Sequence, residues 1–97
     1  MKAIPQKRRK LAFIEWQDAS GPATARWDHV DEWEHDSYMC YSVGWILAKG
    51  ADYISLVPHF GHVNEPSNEQ MTGMMQIPRK MVKRVVYLKN PAKWGTE

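Results

Sequence analysis

Cysteine is almost absent from this 97-residue sequence, in which Cys40 is the only one. A single thiol excludes an intrachain disulfide, so the chain suits a reducing compartment. Long apolar runs are absent too, and none approaches the roughly 20 residues that span a bilayer. The basic start MKAIPQKRRK has no apolar stretch of the kind found in a secretion signal. We therefore expect a cytoplasmic protein that does not enter a membrane.

The length leaves room for one domain, since domains typically have about 100–150 residues. Apolar residues make up 43% of the sequence and include five tryptophans, which is enough bulk for one small core. Pro5 and the surrounding cations oppose early structure. The sequence predicts a flexible basic arm over residues 1–9, a single domain over residues 10–90 and a tail over residues 91–97.

Charge is unevenly distributed, although the net charge is only +2. Residues 2–10 carry five cations and residues 79–93 carry six, whereas residues 28–36 carry five acids. Such blocks can be solvated faces that keep a protein soluble. They can also form a surface for an anionic partner, with the acidic block closing another side. The composition leaves both interpretations open.

Alternating apolar and polar residues predict several short strands. Gly44 indicates a bend in the second of them. Residues 60–70 have the composition of an exposed loop, and the acidic segment after the first strand is typical of a short helical turn or an irregular loop. The predicted strands cover residues 10–17, 38–48, 52–59, 71–77 and 85–88.

The stretch MTGMMQIPRKMVKRVVYL, residues 71–88, decides between a broken helix and two strands. Its first seven residues alternate with a period of two, which a helix would not give. Pro78 then ends the strand because it cannot donate to a ladder. We therefore predict two strands joined by a corner that presents Arg79 and Lys80.

Five short strands, a bend glycine and a turn before the last strand are typical of small barrels. Two sets of residues carry a closer resemblance, Gly44, Ile46, Ile54 and Leu56, and then Gly73, Met75, Ile77, Val82 and Val85. Over residues 38–88 the chain resembles the Sm-like (SH3-type) small β-barrel family. Through IEWQDA and IPRKMV it also resembles small bacteriophage proteins. The resemblance implies a mainly β, five-stranded, strongly bent barrel with an acidic insertion after strand 1.

Sm-like proteins hold a nucleobase between an Asn near the third strand and an Arg-Gly corner before the last one. In this sequence Tyr53 stands where the Asn falls, and Pro78-Arg79 replaces the Arg-Gly pair. Cations at a turn can hold phosphates, and an aromatic ring can stack on a base. We therefore expect a homo-oligomer that binds a nucleotide or a short RNA through Arg79, Lys80, Tyr53 and Lys49. The plain alternative is a solvated basic turn.

Trp27 and Trp33 lie in the acidic segment and are candidates for a partner surface, because exposed indole rings are enriched at interfaces. A protein-interaction module that inhibits a host protein through residues 27–36 is therefore a second hypothesis.

Catalytic and metal-binding patterns are weak in this sequence. His59 and His62 are three residues apart, and such a pair can bind zinc only if further ligands converge. No phosphate-binding glycine loop, serine elbow or carboxylate pair is recognisable. The sequence predicts a protein that is not an enzyme and has no metal and no cofactor.

Overall fold

The computed structural model describes residues 2–18 and 38–94. Their strands are β1 (Leu11–Asp18), β2 (Tyr38–Lys49), β3 (Tyr53–Val57), β4 (His59–Gly61), β5 (Gln70–Thr72), β6 (Met75–Pro78) and β7 (Val82–Leu88). A five-stranded antiparallel sheet has the order β6-β3-β2-β1-β7, and β4 pairs with β5 in a two-stranded sheet. Short 3-10 turns cover Gln6–Arg8, Pro66–Asn68 and Arg79–Met81. The prediction of a mainly β chain with a five-stranded sheet is confirmed.

The five-stranded sheet is strongly curved. Its two edge strands, β6 and β7, are joined only by the turn Arg79–Met81. Strands are about 4.8 Å apart, so the edges of a flat five-stranded sheet would lie about 19 Å apart. The four Cα steps from Pro78 to Val82 reach at most about 14 Å. The sheet must therefore bend to bring its edges together.

A closed barrel does not form, and the prediction of one is wrong in this respect. Among the described residues β6 pairs only with β3, and β7 pairs only with β1. Pro78 ends β6 next to the turn and has no N–H to donate, so the ladder cannot be continued toward β7 from that residue. The fold is a curved open sheet whose edges are linked by the corner.

The core lies on the concave side of this sheet. Its buried members come from alternate positions of four strands, as the period of two requires. They are Ala12, Ile14, Ile46, Ile54, Leu56 and Ile77, with Ile4, Trp16, Val82 and Val85 packed against them. Each fully buried isoleucine or leucine stabilises the fold by about 1.5–3 kcal/mol.

Gly44 allows β2 to pass close to β3. A Cβ at this position would lie 2.8 Å from the carbonyl oxygen of Val57 and 3.0 Å from Cγ of Leu56. The sequence predicts a bend or bulge at this glycine. The shift in the β2–β3 register lies slightly later, between Ile46 and Ala48.

The strands predicted over 52–59 and 71–77 are both interrupted. Pro58 separates β3 from β4, and residues 73 and 74 separate β5 from β6. Gly73 has a φ of 79°, and a Cβ there would lie 3.0 Å from Cγ of Pro58. Pro58 and Gly73 thus face each other at the bend between the β3–β6 pair and the β4–β5 pair. Part of the predicted 60–70 loop belongs to the β4–β5 pair.

The acidic insertion predicted after the first strand lies in residues 19–37, outside the described residues. Within residues 2–18 and 38–94, the structure has no helix long and apolar enough to cross a membrane.

Candidate functional site

Lys49 faces the concave side of the sheet because of an irregularity in β2. Simple alternation from Ile46 would place residue 49 on the opposite side. The register with β3 shifts after Ile46, however, and pairs Lys49 with Ile54, a core residue. An extra residue in one strand reverses which side the following residues face. The bulge therefore turns the Lys49 ammonium toward the end of the core.

The β2–β3 hairpin and the corner lie side by side in one chain. The backbone N–H of Arg79 donates a hydrogen bond to the carbonyl oxygen of Asp52 at 2.8 Å. Tyr53, the first residue of β3, pairs with Pro78, the last residue of β6. These contacts fix the start of the turn Arg79–Met81 against the hairpin.

A small opening at this end of the core has a volume of about 180 Å³. We call it the corner cavity. Its lining combines an apolar floor with two cations and one phenol: Ile46, Ile54, Val82 and Val85, then Lys49, Arg79 and Tyr87. Nζ of Lys49 donates a hydrogen bond to the Tyr87 hydroxyl at 3.2 Å and lies 5.9 Å from the centre of that ring. No acid is among the lining residues, so the cavity has a positive rim.

The structure brings two of the four predicted nucleotide-site residues into this cavity. Lys49 and Arg79 line it, whereas Tyr53 and Lys80 do not. Tyr53 precedes the inward-facing Ile54 and therefore lies on the other side of β3, with 44% of its surface exposed. Lys80 is an exposed residue of the turn.

Tyr87 is the cavity residue that the sequence reasoning missed. It pairs with Ala12 in the β1–β7 register and thus lies on the core side of its strand. The alternation of Val85 with Tyr87 in β7 was the signal that could have found it, since Val85 packs against the core.

The size of the corner cavity limits what it can hold. Sites for small molecules usually measure about 300–1,000 Å³. At about 180 Å³ the cavity has room for one ring or one phosphate, and the rest of a ligand would lie outside, near the exposed cations of the turn.

A second surface lies on the convex side of β7, β1 and β2. We call it the outer face, and its apolar members are Phe13, Met39, Tyr41, Val43, Val86 and Leu88. Tyr41 and Val43 are 63% and 52% exposed. The rings of Phe13 and Tyr41 stack with their centres 6.1 Å apart. The predicted partner residues Trp27 and Trp33 lie outside the described residues.

His59 and His62 lie on the exposed part of the β4–β5 hairpin. Across residues 2–18 and 38–94, no three His, Cys, Asp or Glu side chains are grouped so that they could hold a metal ion.

Comparisons with protein-family models, with curated proteins and with solved structures find no match for this chain. The resemblance to the Sm-like family and to phage proteins therefore stays a hypothesis, and the functional argument depends on the geometry described above.

Proposed function

We propose that the protein binds a nucleotide-containing ligand at the corner cavity without turning it over. The observation that supports this proposal is the meeting of Lys49 and Arg79 over an apolar floor, with Tyr87 beside them. Both cations reach the same opening although they are 30 residues apart in the sequence.

Each part of the cavity has a complementary part in a nucleotide. Guanidinium and ammonium groups form short, charge-assisted hydrogen bonds with phosphate oxygens. A planar base fits against apolar side chains and a tyrosine ring, and such stacking contributes about 1–3 kcal/mol per base. The lining residues include no carboxylate, thiol or imidazole, and Lys49 and Tyr87 are bonded to each other, so we propose binding and not catalysis.

The biological use that we propose is counter-defence in a phage-infected bacterial cytoplasm. A homo-oligomer with one cavity per subunit would sequester a nucleotide signal of host immunity by mass action. Short RNA is a variant ligand, since it presents the same bases and phosphates.

The test is calorimetric titration with mononucleotides and cyclic dinucleotides. Lys49→Ala with Arg79→Ala should weaken binding at least about tenfold, because a hydrogen bond to a charged group contributes about 1.5–3 kcal/mol. Lys83→Ala with Lys89→Ala removes the same charge from exposed positions outside the cavity and should bind like the parent. Equal binding by parent and cavity variant would overturn the proposal.

A second candidate function is docking on a host protein, and the exposed outer face favours it. Apolar area of this kind, carrying aromatic rings, is typical of interaction surfaces. In this alternative the acidic segment with Trp27 and Trp33 contributes to the contact. Protein purified from cells would then release no nucleotide on heating, whereas the first proposal expects a nucleotide in the mass spectrum.

A further inference from the structure

The basic segment at residues 2–10 is attached to the sheet at both ends. The N–H of Ile4 donates to the carbonyl oxygen of Leu47 at 2.6 Å, and the carbonyl oxygen of Lys10 accepts from the N–H of Ile46 at 2.9 Å. Between these points Gln6 Nε2 donates to the carbonyl oxygen of Pro66 at 3.0 Å. The segment thus follows a defined path along the domain.

Arg9 closes this segment into a loop. Its Nε donates to the carbonyl oxygen of Ile4 at 3.0 Å, and its Nη1 lies 2.8 Å from Oε2 of Glu69. The guanidinium lies over the ring of Phe60, 4.4 Å from its centre, and 5.4 Å from the ring centre of Trp94. Only 8% of Arg9 is exposed. One cation of the five therefore faces inward and holds the loop.

The remaining cations face solvent around a hollow. We call it the N-terminal concavity; its volume is about 820 Å³, and residues 2–5 and 7–10 line it. The lining residues include no acid and no aromatic ring. In the part of the chain that the structure describes, no ion pair engages the four exposed cations Lys2, Lys7, Arg8 and Lys10.

We infer that the N-terminal concavity binds a chain of phosphates, such as inorganic polyphosphate or the backbone of a single-stranded nucleic acid. Four exposed cations that form no ion pair with the described residues attract a polyanion, and the hydrogen bonds that hold their loop lower the entropy lost on binding. No lining ring is available for stacking, so the contacts are to phosphate and not to bases. The hollow is also much larger than the corner cavity, 820 against 180 Å³, which suits several phosphates.

This inference is independent of the proposed nucleotide site. The corner cavity depends on Lys49, Arg79 and Tyr87, none of which lines the N-terminal concavity. Either site can fail its test while the other passes.

The experiment measures fluorescence anisotropy of a short labelled oligothymidylate at 50 and 200 mM salt. Four phosphate contacts on a single strand give a log–log salt slope of about −2.8, so affinity should fall roughly fifty-fold between these conditions. For Lys7→Ala with Arg8→Ala, two contacts remain and the fall should be roughly sevenfold. Lys83→Ala with Lys89→Ala removes the same charge as a control, and its affinity should depend on salt as the parent's does.

Three further measurements identify the source of the signal. Inorganic polyphosphate should compete with the oligothymidylate, and an oligoadenylate of equal length should bind equally well. The comparison is repeated in protein that carries Lys49→Ala with Arg79→Ala, so that the corner cavity no longer holds the probe, and the salt dependence should again fall when Lys7 and Arg8 are removed. The inference is overturned if the charge-matched control loses as much affinity as the concavity variant, if polyphosphate does not compete, or if only the corner variant loses binding. Circular dichroism of each variant confirms that it is folded.

Discussion

Arg8 and Arg9 are neighbours in the sequence, yet their environments are opposite. Arg8 is exposed, whereas Arg9 is paired with Glu69 and enclosed by two aromatic rings. Both members of that ion pair are largely buried, with 7% and 15% of their side chains accessible. Removing one partner of a buried pair leaves the other charge uncompensated, which costs far more than losing a surface charge.

Arg9→Ala should therefore lower the free energy of unfolding by about 3 kcal/mol. Arg9→Lys should recover only part of this loss, because an ammonium cannot both stack on the rings and donate in the same planar geometry. Urea denaturation followed by tryptophan fluorescence measures the change. Arg8→Ala is the matched control and should stay within about 0.5 kcal/mol of the parent. A similar loss in both alanine variants would contradict the assigned role of Arg9.

Tyr87 and Tyr53 are both near the corner, but only Tyr87 lines the cavity. If a base lies there, Tyr87→Ala should weaken binding by about 1–3 kcal/mol, because the stacking surface is lost. Tyr87→Phe should change it less, since the ring remains and only the bond from Lys49 is lost. Titration of Tyr53→Ala provides the comparison. A larger effect at Tyr53 would move the site to the other side of β3.

At the scale of the strands, Gly44 leaves less room for a Cβ than Gly61 or Gly73 does. Gly44→Ala places a Cβ against the Val57 carbonyl, which belongs to the backbone and cannot rotate away. We expect a loss of about 1–3 kcal/mol, as in other overpacked sites. Gly61→Ala in β4 is the control, because nothing lies within 4 Å of its Cβ position. The midpoint of thermal unfolding should be clearly lower for Gly44→Ala than for Gly61→Ala. Equal midpoints would argue against the close approach of β2 to β3.

The sequence predicted the strands in which apolar and polar residues alternate. It did not predict features that depend on a bulge or on pairing between distant strands. β1 and β2 follow from apolar periodicity, and Pro78 correctly marked the end of β6. The β4–β5 pair was predicted only in part, because its residues 60, 61 and 70 belong to a mostly polar segment that resembles a loop. The orientation of Lys49 depends on the bulge after Ile46, which reverses the facing of residues in a way that composition does not reveal. The open edge between β6 and β7 likewise depends on pairing across the sheet and not on local pattern.

At the scale of the whole molecule, the outer face leaves several apolar side chains exposed, among them Tyr41 and Val43. Glu15 and Arg84 form an ion pair across this face, with their charged atoms 3.6 Å apart. A patch that carries an ion pair can meet a copy of itself with opposite charges facing each other, as a two-fold interface allows. A patch of one sign would instead select a charged partner. The composition of the outer face therefore fits self-association, which also shields the exposed rings.

The protein should accordingly be oligomeric at micromolar concentration, as measured by light scattering coupled to size-exclusion chromatography. Val43→Lys places a charge on the outer face opposite Phe13 and should produce monomers, because two copies would then bring like charges into a desolvated contact. The variant should still fold, because Val43 is about half exposed and is not part of the buried core. Val63→Lys, on the exposed β4–β5 hairpin and away from this face, should leave the mass unchanged.

A parent protein that is monomeric at micromolar concentration would remove the oligomer from the proposed function. An oligomer that survives Val43→Lys would instead direct attention to the edges of β6 and β7, where backbone groups of the described sheet remain without a neighbouring strand.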